Sequence, residues 1–115
     1  MTIQTFTRGN TFIVQPIGDV SLLTAVEFES QLTAAMQDGM IRMVFDCSAL
    51  THISSDGLRV LLRTLKSLRA LHGNAALVGL RDDVRGIFVA GGFFALLEEF
   101  ATVDDAISAM DSDEE

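Results

Sequence analysis

Hydrophobic positions change their period several times along the chain, and each change marks the edge of an element. Residues 11–17 carry Phe12, Ile13, Val14 and Ile17 in a β-rich run, and Gly9-Asn10 ahead of them predicts a hairpin turn with residues 5–8 as its first arm. Pro16 has no N–H to give a ladder, which predicts a strand at an edge or bulged near its end. The spacing then lengthens. Phe28, Leu32, Ala35 and Met36 fall at helical intervals behind a Thr24–Glu27 capping-box pattern, and Asp38-Gly39 stops the helix. Residues 42–46 hold Met43, Val44 and Phe45 in a continuous apolar run, the pattern of a strand buried on both faces. From near Ser55 to about Leu71, a stripe of Leu58, Leu61, Leu62, Leu65 and Leu68 predicts a helix ended by Gly73-Asn74. A strand over 75–79 follows, then a shorter helix over 82–90 with Val84, Ile87 and Phe88 inward. A short strand within 96–100 and a last helix, capped by Thr102 and running through Ile107 and Met110, complete the pattern. The order β-β-α-β-α-β-α-(β)-α has no repeat and no internal linker. It predicts an α/β fold with right-handed crossovers, a mostly parallel sheet and an antiparallel first hairpin.

Length and charge narrow the picture. At 115 residues, 49% of them hydrophobic, the chain fits one domain large enough to close its own core. The net charge of −8 is unevenly placed: half of the 16 acidic residues lie beyond Arg85, the last basic one. They are Glu98, Glu99, Asp104, Asp105, Asp111, Asp113, Glu114 and Glu115. The expected layout is one domain over residues 1–110 and an acidic, disordered tail over 111–115. An acidic end without a basic, aromatic-studded stretch argues against a nucleic-acid partner. Cys47 is the single cysteine, so no disulfide scaffold exists, which fits a reducing compartment. The longest apolar stretch, 87–97, contains Gly91-Gly92 and is about half the ~20 residues needed to cross a bilayer. Residues 1–15 carry polar residues at intervals throughout and lack the apolar core of a signal peptide. The expectation is a cytoplasmic protein with no direct membrane insertion.

Familiar catalytic patterns are missing. There is no Gly-x-Ser-x-Gly elbow, no Walker loop and no His-Glu-x-x-His helix. His52 and His72 sit on different elements with one cysteine for company, which is not a metal-ligand pattern, and no metal or cofactor is expected. A phospho-accepting Asp46 would need further carboxylates to hold magnesium, and Asp19 is the only other acid near the carboxyl end of an early strand. Asp46, His52 and Ser55 supply the residue types of a hydrolase triad. Nothing supplies an oxyanion hole or a pocket, so a serine hydrolase is a remote alternative.

The junction 50–58, Leu-Thr-His-Ile-Ser-Ser-Asp-Gly-Leu, lies between the buried strand and the leucine-striped helix. Ser54 or Ser55 ahead of Asp56 makes a good helix start, and the plainest role for a serine there is capping. The same position offers unpaired N–H groups and the positive end of the helix dipole, where a phosphate on a short serine is accommodated. Gly57 leaves room for a partner to approach. Asp56 opposes the change, because it repels the new negative charge.

Residues 46–61, Asp-Cys-Ser-Ala-Leu-Thr-His-Ile-Ser-Ser-Asp-Gly-Leu-Arg-Val-Leu, resemble the signature of the STAS family, the bacterial anti-sigma factor antagonists: Asp-Leu-Ser-x-Val-x-x-Ile-Asp-Ser-Ser-Gly-Leu-x-x-Leu. Gly18-Asp19-Val20-Ser21 through Thr24-Ala25 resembles the family's Gly-Glu-Leu-Asp-x-x-Thr-Ala, and Val84-Arg85 through Phe94 its later helix and glycine turn. The resemblance implies a small mixed sheet, roughly four or five strands on the order above, with helices mainly on one side. It also implies a partner switch. An anti-sigma factor that is a serine kinase binds the unphosphorylated domain, phosphorylates it and lets go, and a PP2C-type phosphatase reverses the mark. Aligned on Gly57, the family's phosphoacceptor falls on Ser55, in a domain that is substrate and binding module and not an enzyme. The implied partner surface is Ile53, Ser54, Asp56, Gly57 and Leu58, with Asp19 and Ser21 beside the phosphosite. On the helix behind it, Arg59, Arg63 and Lys66 recur at i, i+4 and i+7, the pattern of a solvated face or, by its place behind the phosphosite, of a continued partner surface. Departures from the family pattern at the site include Ser54, where the family has aspartate, Asp56, where it has serine, and Ser21, where it has an early aspartate. A second role within the family is that of an unphosphorylated subunit binding the ATPase of an ABC-type lipid transport complex.

Overall fold

The computed structural model describes residues 2–113. β1 (Thr2–Arg8) and β2 (Thr11–Val20) form the expected antiparallel hairpin, with Arg8 opposite Thr11 across Gly9-Asn10. β3 (Arg42–Asp46), β5 (Asn74–Val78) and β6 (Glu99–Phe100) add parallel strands in the order β1-β2-β3-β5-β6, and β4 (Leu50–Ile53) pairs with the far end of β2. The alternation of β3 sorts the core into two layers. Met43 and Phe45 join Val14 and Leu77 beneath α1 (Leu22–Gln37), α2 (Ser55–Ala70) and α3 (Asp82–Ala90). Val44 joins Ile13, Ala76 and Val78 on the opposite face, which α4 (Val103–Asp113) covers with Ala106 and Met110. The mixed, mostly parallel sheet with helices mainly on one side is therefore as expected. Among the described residues, no helix is long and apolar enough to cross a membrane.

The differences have local causes. Among the described residues the sheet has six strands, because β4 forms inside the 50–58 junction. Only Leu50 and Ile53 of β4 are buried, with exposed Thr51 and His52 between them, so no alternation betrays the strand. β4 finds a partner because β2 is longer than expected and shifts register between Gly18 and Asp19. Pro16 accordingly lies in an interior strand, between the stretch of β2 paired with β3 and the stretch paired with β4; of the two alternatives, the bulge is correct and the edge is not. α1 starts one turn earlier than its sequence suggested. Ser21 is the cap, and its N–H donates to Thr24 Oγ1 at 2.8 Å, so Thr24 occupies the third helical position usually given to Glu or Gln. The strand anticipated within 96–100 shrinks to two residues after a 3-10 turn over Phe93–Ala95.

Residues 111–113, expected to belong to the acidic tail, are part of α4. α4 continues through Asp113, and Arg42, whose side chain is only 6% exposed, donates to Asp111 Oδ1 at 2.6 Å. A buried guanidinium is costly without such a carboxylate, and the contact fixes the end of the helix. Glu114 and Glu115, the remainder of that tail, lie outside the described residues.

Candidate functional site

The junction is organised by two helix starts lying side by side. β2 leads into α1 through Ser21, and β4 leads into α2 through Ser54. The Ser54 N–H donates to Val20 O at 2.8 Å, which ties the second start to the first. Ser54 is the cap: its Oγ accepts from the Gly57 N–H at 3.3 Å, and its carbonyl accepts from the Leu58 N–H at 3.0 Å. Ser55 is the first helical residue, exposed, and outside these capping bonds. The two adjacent serines thus divide the work. One holds the backbone and the other presents a hydroxyl.

Gly57 has a different purpose from the one its sequence suggested. It is buried, and a Cβ there would lie 2.6 Å from Ile53 Cγ1 and 2.9 Å from Val20 Cγ1. The missing side chain lets α2 close onto the β2–β4 pair; it does not open the surface to a partner. Ile53 is likewise in the core, 2% exposed. Both residues therefore leave the expected contact surface, since their side chains are consumed by packing. Leu58 is half-buried against the same core. Ser54 and Asp56 are partly exposed, as is Ser21, while Asp19 is exposed with its backbone opposite His52 in the β2–β4 register.

The basic residues of α2 are exposed but not loose. Arg59 donates to Asp56 at 3.2 Å, one helical turn back. Arg63 donates to Glu29 of α1 at 2.6 Å, a bond that holds the Glu29 carboxyl below its usual range. These two pairs frame a shallow groove of about 130 Å³ between α1 and α2, floored by Ala25 and Val60. Lys66 is exposed farther along the helix and does not line this groove.

The alternative chemistries do not assemble. Asp46 Oδ1 accepts from Ser48 N and Oγ at 3.1 and 2.7 Å, so that carboxylate closes its own turn. Among the described residues no hydrogen bond joins Asp46, His52 and Ser55 into a relay. Cys47 is buried, and burial pushes its thiol up, with Asp46 and Glu99 acting in the same direction; it is not a reactive thiolate.

An exposed serine at the start of α2, between β4 and a leucine-striped helix, is the arrangement that the family signature describes. The STAS domain model matches residues 2–106. The chain belongs to the STAS domain family. Within it, the chain is 38% identical over 79 residues to BtrV of Bordetella bronchiseptica, named as an anti-sigma factor antagonist, covering 69% of this chain and 68% of that protein. It is 26% identical over 97 residues to the anti-sigma-B factor antagonist of Staphylococcus aureus, covering 84% and 90%. Its fold superposes on the unphosphorylated form of the anti-sigma factor antagonist SpoIIAA with a TM-score of 0.86 at 18% identity, over 96% of this chain and 97% of that one. The phosphorylated form of SpoIIAA, from Bacillus, gives a TM-score of 0.76 at 18% identity, over 94% and 98%.

One feature of this STAS domain escaped its sequence. Leu22, Leu23 and Val26, on the first turns of α1, are large, apolar and exposed. The buried stripe of α1 is Ala25, Phe28, Leu32 and Ala35, and the three residues fall off it. That mismatch was visible in the spacing, but a helix taken to start at Thr24 left Leu22 and Leu23 ahead of it.

Proposed function

We propose that this STAS domain is an anti-sigma factor antagonist worked by partner switching. Unmodified, it binds an anti-sigma factor that is also a serine kinase; phosphorylated on Ser55, it is released, and a PP2C-type phosphatase restores it. In the transfer, Ser55 Oγ attacks the γ-phosphorus of ATP held by the partner, the hydroxyl proton passes to a base of the partner, and ADP leaves. The domain is substrate and binding module, acts in the cytoplasm, and takes no part in nucleic-acid contact. The observation that carries the reading is the division between Ser54 and Ser55: capping falls to Ser54, so Ser55 is exposed with no structural task.

The physics supports both states. A phosphate on the first helical residue meets the positive end of the α2 dipole, so the fold tolerates it. At an interface the same group adds a charge of about −1.5 to −2 beside Asp56, against a surface matched to a neutral hydroxyl. Arg59, one turn along from Ser55 and already bonded to Asp56, lies on the rim that a partner must cover.

The test is direct. The chain is incubated with the cognate anti-sigma kinase and Mg-ATP, and the product is mapped by tandem mass spectrometry. A single phosphate on Ser55, absent from Ser55→Ala, is the expected result. Phosphate on Ser54, or none at all, would overturn the assignment, and capture of an ABC ATPase indifferent to Ser55→Glu would point to the transporter role instead.

A further inference from the structure

Leu22, Leu23 and Val26 are 64%, 88% and 75% exposed. Single exposed apolar residues are ordinary, but three adjoining ones on the first turns of one helix form a contiguous greasy surface that water disfavours. Leu22 and Val26 line the α1–α2 groove together with Asp56 and Arg59, so this surface continues directly into the rim of the Ser55 site. The charges lining the groove are paired as Asp56–Arg59 and Glu29–Arg63, and the other charged residues beside the pad, Asp19 and Glu27, are acidic and exposed. On a chain of net charge −8, this is a face that offers a partner apolar area beside a groove whose charges are paired. A lipid surface would want a surplus of Lys or Arg at the rim, which the pairing removes.

We infer that Leu22, Leu23 and Val26 are the affinity half of the anti-sigma factor interface, an apolar anchor on α1 that adjoins the Ser55 switch half on α2. The inference rests on the function proposed above. The partner presents an apolar element to the α1 pad while its active site reaches Ser55, so one half holds and the other senses charge. Affinity in such interfaces is concentrated in a few desolvated apolar anchors, and their loss appears mainly in the dissociation rate.

The probe is the purified kinase that phosphorylates the chain, with binding measured by calorimetry and surface kinetics in the presence of a non-hydrolysable ATP analogue. Leu23→Ser is expected to weaken binding about tenfold, and the triple Leu22→Ser/Leu23→Ser/Val26→Ser about a hundredfold. The thermal midpoint should not fall, because these side chains make little of the core, and circular dichroism checks that the variants are folded. The same factors should recur on a Ser55→Ala background. A triple variant within about twofold of wild type, where wild type binds and is phosphorylated, overturns the inference and leaves the function standing. Failure of wild type to bind the kinase at all fails the function, and the inference with it. Sedimentation showing that the chain self-associates, with the triple variant monomeric, would assign the pad to a second copy; pad-dependent binding to phosphatidylcholine vesicles would assign it to a membrane. Either overturns the inference.

Discussion

Two helices begin after successive strands of the same domain, and their first turns are held in opposite ways. α3 starts under heavy constraint. Arg85 makes two bonds to the Glu99 carboxylate, at 3.0 and 2.9 Å, and another to Leu80 O at 2.9 Å, while Glu99 also accepts from the Leu80 N–H at 3.0 Å. The charges there are spent on each other, and they clamp α3 to the edge strand β6. α2 starts with one serine bond from Ser54, a glycine pressed against the sheet, and an exposed hydroxyl on Ser55. The difference teaches where change is tolerated. A new charge at the α3 start would have to break a satisfied network, whereas one on Ser55 disturbs little inside the domain.

Breaking the close approach at α2 should have the largest effect. Gly57→Ala puts a methyl group into Ile53 and Val20, and overpacking of this kind costs about 1–3 kcal/mol. Urea unfolding should show the loss, and a compensating Ile53→Val should recover part of it. Glu99→Gln should come next. It removes the charge that faces Arg85 and loosens the clamp on α3, and thermal unfolding near neutral pH should detect it.

That second variant also has a pH signature. The Arg85 guanidinium, followed by the Leu80 N–H, holds the Glu99 carboxyl below its usual 4.5, against the opposing effect of burial. A depressed folded pKa means that the contribution is fully present above about pH 4.5 and fades as pH falls through the lower folded value. Wild type and Glu99→Gln should therefore differ most near neutral pH and converge in acid. A difference that grew as pH fell would contradict the clamp.

Ser54→Ala should cost about 1 kcal/mol, the value of a lost cap. Ser55→Ala should change stability least, by under about 0.5 kcal/mol, since an exposed side chain outside the caps contributes little. The two neighbouring serines give the sharpest contrast: one substitution should move the unfolding midpoint and leave phosphorylation on Ser55, the other should do the reverse. Equal stability losses would erase the distinction between cap and acceptor.

How much of this was legible in the sequence depends on what each residue touches. The stripes of α2 and the apolar run of β3 announced themselves because their burial follows a fixed period. β4 did not, because its pairing depends on a register shift in β2 some thirty residues earlier, a long-range event that leaves no local pattern. Gly57 was recognised as special for the wrong reason: sequence reveals that a side chain is missing, not which side of the backbone is crowded. The signature marks a serine at the start of α2, yet which of the two serines caps the helix depends on the Ser54–Gly57 bond, which the sequence does not show. The apolar pad is masked in the sequence because the Thr24–Glu27 pattern imitates a capping box one turn inside the true helix start.

In the proposed switch, one group on Ser55 governs partner affinity while the fold stays intact. The most direct measurement is the dissociation constant of the anti-sigma kinase for the unmodified chain and for the chain stoichiometrically phosphorylated on Ser55, at matched salt and nucleotide. Binding should be at least about tenfold weaker after phosphorylation, from a charge set against a surface matched to a hydroxyl, with an unchanged far-ultraviolet circular dichroism spectrum. Equal affinity for the two forms, or a loss of affinity accompanied by unfolding of α2, would contradict it.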